Sequence, residues 1–375
     1  MKRILIISYF FPPFKGVGTF RPYYWAKNIK NFDNSYECDV ITATPDPVKE
    51  KTYNIYYIKD SKHYSFFSLF IKDPGLSWKK DLLNYFKSKN IPHYDIIIIT
   101  GGPFLHFGIG SFLKKKYGCK IILDFRDPFA NNPKFKDNII KKIIKRILEY
   151  SFIKDSDIVI TVNKECAKLI TCKDLKKIKI IENGYDESIV EKILLKRPKK
   201  KSSSSITKII YAGKLYNDVN PEPFFNVITE KSFINNFIFY YIGPNDSLLQ
   251  RWNKSKNIYL FEQMDYKKVL EFIVKCDVGL ILTGGKPFES TTKIFDYIGL
   301  GKKILIITEG KIKTGSLNYI TKNLKNVVWA QNSYFKIKEA LNKIQNMNIT
   351  KKPSNIDLYS RRNGLKKLLH IINNL

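Results

Sequence analysis

Residues 288–301 read FESTTKIFDYIGLG, a stretch that sets two carboxylates, three hydroxyls and one lysine ahead of an apolar, β-branched run. Glu289 and Asp296 stand seven apart, so a helix would bring them to one face. Ser290, Thr291 or Thr292 is suited to cap a helix running from about Thr291 to Leu300, with Gly301 as its stop. The free N–H groups of such a helix start, with Lys293 beside them, make an anion seat at the carboxyl edge of a sheet. Asp296 would then accept hydrogen bonds from sugar or ribose hydroxyls at the rim, and Glu289 would lie two turns above it.

Four other stretches carry charge or glycine at the ends of apolar runs. In FPPFKGVGTFRP, Gly16 and Gly18 open a tight strand-to-helix turn, and Thr19 is placed to cap the helix through Trp25. Arg21 occupies the place of a third glycine, and the second strand ends in Ile41-Thr42-Ala43-Thr44 with no acidic residue, so a nicotinamide-dependent dehydrogenase is a poor reading. ITGGPFLHFGIG places His106 in the first turn of a helix beginning near Phe104, either as a functional imidazole or as a hydrogen-bonded structural one. ILDFRDPF sets Asp124, Arg126 and Asp127 at the end of a buried run, where open α/β sheets bind ligands and where ion pairs also cap strands. IIYAGKLYND ends a strand at Gly213 and sends Lys214 across the same edge, a pairing that suits a diphosphate.

The elements that position these residues alternate β-branched runs with helical patterns, the signature of parallel sheets covered on both faces. Strands are expected at Arg3–Tyr9, Cys38–Thr42, Tyr53–Ile58, Asp95–Thr100, Lys120–Asp124, Ile158–Thr161 and Ile178–Ile181, then at Lys208–Tyr211, Phe237–Tyr241, Ile258–Leu260, Val278–Leu282 and Ile304–Ile307. A length of 375 residues accommodates two doubly wound Rossmann-like domains. The expected division is 1–195, a charged serine-rich linker at 196–206, and 207–356, with an amphipathic helix at 357–375 that must dock elsewhere.

Sixty-five Lys and Arg against 34 Asp and Glu give a formal charge of +31, which points to anionic partners. The lysines are dispersed and no aromatic-basic recognition motif occurs, so nucleic acid is not the expected partner. The five cysteines form no C-x-x-C pair, and neither a disulfide framework nor a metal site is indicated. No apolar run reaches the roughly 18 residues of a membrane span, and the first strand is too short and β-branched for a signal peptide, so a cytoplasmic protein is expected.

Taken in order, ISYFFPPFKGVGTFRP, TGGPFLHFGIG, ILDFRDPF, IENGYD, YAGKLYND and ESTTKIFDYIGLGKKIL resemble the motifs of the GT-B glycosyltransferases, specifically the retaining family 4. The resemblance runs from residue 1 to about 310 and rests on motif order as much as content. It implies two Rossmann-like domains facing across a cleft, an acceptor on the first, a nucleotide-sugar on the second, and a last helix crossing back. It implies further that Gly213, Lys214 and residues Ser290 to Lys293 hold the donor diphosphate, that Asp296 meets the ribose, and that the Gly16–Gly18 loop reaches the donor from the other domain. Asp127, Arg126 and His106 are the implied groups around the reacting bond, with no metal or cofactor required. Two departures stand out: the family's first motif glutamate is replaced by Phe288, with Glu289 one residue out of step, and no second basic residue follows Lys214, since Tyr216, Asn217 and Asp218 fill that region.

In NIIKKIIKRILEY, residues 138–150, Ile139, Ile140, Ile143, Ile144, Ile147 and Leu148 form one stripe and Lys141, Lys142, Lys145 and Arg146 the other. That pattern fits a helix packed by its isoleucines on the sheet, and equally a helix lying on an anionic membrane at the inner face of the cytoplasmic bilayer. The expected activity is transfer of a sugar to a glycan or lipid-linked acceptor of a bacterial envelope polysaccharide or lipopolysaccharide. A sugar-nucleotide epimerase, a basic nucleic-acid-binding protein and a non-catalytic scaffold are the competing readings.

Overall fold

The computed structural model describes residues 1–63, 66–196, 206–216, 218–348 and 356–375. The chain divides into two compact units, one of Met1–Glu182 with Gly364–Leu375 and the other of Asn183–Asn363. The first unit carries β1 (Lys2–Ser8), β2 (Tyr36–Thr42), β3 (Asn54–Tyr57), β4 (Ile96–Thr100), β5 (Lys120–Phe125), β6 (Ile158–Thr161) and β7 (Ile178–Ile180). The second carries β8 (Thr207–Ala212), β9 (Phe237–Ile242), β10 (Ile258–Phe261), β11 (Val278–Thr283), β12 (Lys303–Thr308) and β13 (Val327–Gln331).

The strand orders are β3-β2-β1-β4-β5-β6-β7 and β10-β9-β8-β11-β12-β13, and the pairings within both sheets are parallel. Each order reverses once, between β1 and β4 and between β8 and β11, and a crevice opens at the carboxyl ends of such a reversal. Strands buried on both faces read as unbroken apolar runs, of which the fully buried IIIIT of β4 is the plainest. Alternate residues serve opposite faces: Leu5, Ile7, Ile97 and Ile99 pack with Trp78, Leu82 and Phe86, while Ile4, Ile6, Ile96 and Ile98 pack with Trp25 and Ile29. The second of these faces is completed by Leu365, Leu368 and Ile372 of the helix Arg361–Asn373, so the end of the chain docks in the first unit's core.

The border differs from the expected one. Residues 183–195 belong to the second unit, because the helix Glu187–Leu195 buries Val190 and Ile193 among Leu270, Ile273 and Phe295. Tyr185 donates its N–H to the Tyr359 carbonyl (3.0 Å) and accepts from Arg361 N (2.9 Å), so the outgoing and returning segments run side by side at the edge of this unit. Residues 197–205 of the expected linker lie outside the described residues, as do 349–355. The strand β13 was not anticipated: VVWAQ alternates buried and half-exposed at the sheet edge, a weaker signal than a continuous apolar run.

Candidate functional site

In the first unit the sequence-expected residues gather at the carboxyl ends of β1, β4 and β5. Arg126, just after β5, donates Nε to the Gly101 carbonyl (3.0 Å), Nη1 to the Gly18 carbonyl and Nη2 to Gly101 and Gly102. Its fork therefore ties three βα loops together, and burial holds its pKa below the usual arginine range. Gly18 is required by this approach, since a Cβ there would lie 2.8 Å from Arg126 Nη1. Gly16 lets the loop turn close beneath the Phe14 ring, 2.6 Å from where a Cβ would stand. Thr19 does not cap the following helix Phe20–Phe32; its hydroxyl donates back to the Gly16 carbonyl at 2.8 Å. Asp124 is fully buried, accepting from Arg21 Nη1 (3.0 Å) and Thr100 Oγ1 (3.1 Å), and is a structural ion pair. Asp127 is the exposed carboxylate of the group.

His106 does not reach the crevice. It lies in the 3₁₀ turn Leu105–Ile109, wholly buried, with its ring 5.2 Å from that of Trp78 in an edge contact. Burial pushes its pKa down to about 3, with the Thr100 backbone offsetting part of the effect, so the imidazole is neutral and enclosed. What fixes this turn is Asp73, whose carboxylate accepts from Gly75 N (2.8 Å) and Phe104 N (2.9 Å), a cap from 31 residues upstream that spacing does not reveal.

In the second unit the site forms at the reversal between β8 and β11. The helix expected from Thr291 to Leu300 spans Lys293–Gly299, and Thr292 at its cap makes no side-chain hydrogen bond to it. The helix is pressed onto the sheet through Tyr297, whose hydroxyl reaches the carbonyls of Ile210 (3.2 Å) and Leu280 (3.3 Å). Gly279 of β11 allows this, because a Cβ there would sit 2.3 Å from the Tyr297 ring. Lys293 is thereby carried to the end of β8, where Nζ lies 3.3 Å from Tyr211 Oη and 4.5 Å from that ring's centroid. Gly213, at φ 110°, passes close beneath it, with Lys293 Cε 3.1 Å from the position of a Cβ. Among the described residues no carboxylate comes within ion-pair distance of this amine, and burial pushes its pKa down to about 8, against a rise from Asp296. Lys214, by contrast, is exposed, and its carbonyl accepts from Tyr211 Oη at 2.9 Å.

The two motif carboxylates part company. Glu289 accepts from Thr283 Oγ1 at 2.7 Å and lines a shallow pocket with Lys286, Thr308, Lys311 and Trp329, while Phe288 is buried. Asp296 faces the other way: Oδ1 accepts from Tyr266 Oη at 2.6 Å, and Tyr266 accepts from Arg361 Nη2 at 3.3 Å. Arg361 also donates to the Gly184 carbonyl (3.0 Å) and Asp186 (3.3 Å), so Asp296 ends a chain of contacts that reaches the segments 184–186 and 359–361. Burial raises the Asp296 carboxyl to about 6. Tyr211, Tyr266, Tyr297 and Arg361 escaped sequence reading because aromatics and a late arginine have no local pattern that marks a site.

These two Rossmann-like units have the fold of the GT-B glycosyltransferases. HepE from Anabaena, solved in complex with UDP and glucose, superposes with a TM-score of 0.67 at 9% identity over 100% of both chains. A glycosyltransferase from Rickettsia africae gives 0.67 at 15% identity, covering 99% of this chain and 97% of its own. The lipopolysaccharide outer core galactosyltransferase WaaB gives 0.65 at 12%, over 100% of both. No family model matches the sequence, and no curated protein does.

Proposed function

We propose that the chain is a retaining, metal-independent glycosyltransferase that moves a sugar from a nucleotide-diphosphate-sugar to a glycan or lipid-linked acceptor in bacterial envelope polysaccharide or lipopolysaccharide synthesis. The observation that carries this reading is Lys293, a half-buried cation whose amine has no carboxylate counter-ion among the described residues, held at the end of β8 beside Gly213. A largely desolvated amine without a fixed anion is poised to take an anionic ligand. The hydroxyls of Thr291 and Thr292, neither of which is engaged among the described residues, directly precede Lys293 in the chain at the start of the same helix. Complexes of HepE with UDP and with UDP-glucose, on the same fold, support a nucleoside diphosphate as that ligand.

The chemistry follows from where charge develops. As the anomeric carbon–oxygen bond to the β-phosphate breaks, the departing diphosphate gains negative charge, and a fixed ammonium there is stronger in the transition state than in the ground state. The acceptor hydroxyl attacks from the face the diphosphate leaves, and its proton passes to a departing phosphate oxygen, so configuration is retained. Asp127, exposed at the end of β5, is the group offered to sugar and acceptor hydroxyls, and Arg126 holds its loop. Lys214 stays available as a second, solvent-side cation for the diphosphate. Asp296 offers its second oxygen to the ribose while Tyr266 occupies the first.

The test is thermal denaturation and calorimetry against UDP, GDP, ADP and their sugars, with chelator present. Stabilisation by a nucleoside diphosphate without metal, followed by α-anomeric product from the matching α-linked donor, is expected. Absence of any shift across the series refutes the reading. Conversion of donor to its epimer with no acceptor present would mark an epimerase instead.

A further inference from the structure

The helix Ile139–Lys154 splits the expected isoleucine stripe: Ile144 and Leu148, half-buried, pack on the first unit's core, and the rest of the stripe faces outward. Its inner face carries Lys145 and Glu149, 5% and 0% exposed, while Ile139, Ile140, Ile143 and Ile147 are 77%, 66%, 49% and 63% exposed. The buried polar pair is fully provided for. Lys145 Nζ reaches Asp137 Oδ2 at 2.5 Å and lies 5.4 Å from the Phe129 ring centroid, and Glu149 accepts from Ala130 N (3.0 Å) and Thr171 N (2.6 Å). Phe152 and Ile153 complete the inward side, and Asn138 caps the first turn through Lys141 N. Folding of the first unit therefore leaves Ile139, Ile140, Ile143 and Ile147 uncovered. At 100° per residue, positions 139, 140, 143, 147 and 150 span an arc of about 100°, one continuous ridge.

We propose that this isoleucine ridge is a membrane-docking face that inserts into the headgroup boundary of an anionic lipid surface. Charge selects the occupant: Lys142 and Arg146, both exposed, lie along one side of the ridge, and the whole chain carries +31. Apolar residues in the middle and cations at the edge are what a helix lying in an anionic lipid interface needs. None of the helices among the described residues is long and apolar enough to cross a membrane, so the ridge would hold the protein on the surface. Partition to the lipid surface would be independent of donor chemistry.

The experiment is co-sedimentation of the full chain with vesicles of phosphatidylglycerol and phosphatidylcholine in equal parts, and with phosphatidylcholine alone. Binding to the anionic vesicles is expected, weakened by salt and at least about tenfold lower for Ile143→Gln/Ile147→Gln, with an unchanged melting curve. Lys142→Gln/Arg146→Gln should lose about fivefold per charge on the anionic vesicles only. Ile139→Gln/Ile140→Gln provides a second pair should the first perturb folding. Wild-type protein left in the supernatant, or isoleucine variants that sediment like it, overturns the proposal. So does a dimer in size-exclusion chromatography that the same variants dissociate, which would make a second copy the occupant. UDP binding serves as the parallel readout: the ridge variants should keep it, and its absence from wild type and variants alike would count against the donor site and leave the ridge standing.

Discussion

Replacing Lys293 by methionine removes the charge while keeping much of the shape, and the structure fixes the direction of each effect. Burial lowers the amine from 10.5 to about 8, so half of the lysine is charged at pH 8 in the free protein. A bound diphosphate restores the charged form, and binding must then take up about half a proton at pH 8, about a tenth at pH 7 and nearly a whole one at pH 9. Calorimetry with UDP in buffers of equal pH but different ionisation enthalpy reads that number directly. Affinity of the wild type should fall toward tenfold per pH unit above 8, since the proton has to be supplied from solution. In the variant the proton uptake disappears and affinity drops at least about tenfold at pH 7. The free protein moves the other way. Holding the charged amine in this site penalises the fold by up to about 3 kcal/mol below pH 8, a penalty relieved as pH rises toward 10.5, so Lys293→Met should melt higher than wild type at pH 7 and show no such rise. Equal proton uptake and equal UDP affinity in the two proteins would refute the assignment.

Two further outcomes follow from buried polar groups. Burial raises Asp296 from 3.8 to about 6, so the folded state holds that proton more tightly; its contribution is complete below 3.8 and lost as pH climbs through 6. Urea titrations of the wild type and Asp296→Asn should diverge by about 2 kcal/mol between pH 4 and pH 6, partial solvent access being allowed for, and parallel curves would exclude the buried carboxyl. Arg126→Ala frees the carbonyls of Gly18, Gly101 and Gly102 and should cost about 3 kcal/mol in denaturant melts, with faster amide exchange in the Gly16–Thr19 and Gly101–Phe104 loops; Arg126→Lys should recover little, one ammonium being unable to span three carbonyls.

The fold was legible wherever a face is dry on both sides. Strands β1, β4, β5, β11 and β12 announce themselves as apolar runs with glycine, lysine or acid at their ends, whereas the strand order and its reversals carry no such local mark. What stayed hidden depends on partners far apart in sequence. Asp73 caps a turn at residue 104, Glu149 binds backbone at 130 and 171, and Arg361 reaches 184 and 186. No window of local pattern contains such pairs, and the same limit turned His106 from a candidate group near the reacting bond into a core residue: its neighbour Trp78 comes from another helix.

The position of cations in the donor unit shows how packing redistributes roles that residue type alone assigns. Lys214 and Lys293 carry the same charge, and each stands near a glycine at the end of a strand. Lys214 points to solvent, where water screens its charge and a diphosphate gains little from it. Lys293 is drawn beneath Tyr211 because Gly279 admits the Tyr297 ring and so lowers the whole helix onto β8 and β11. A glycine with no side chain of its own thus decides which lysine is desolvated, and desolvation decides which one can exert a strong field on a phosphate. Gly279→Ala should therefore weaken UDP binding through a residue that cannot touch the ligand, with Lys293 returning toward the pKa of an ordinary amine and the pH dependence of affinity above 8 flattening accordingly.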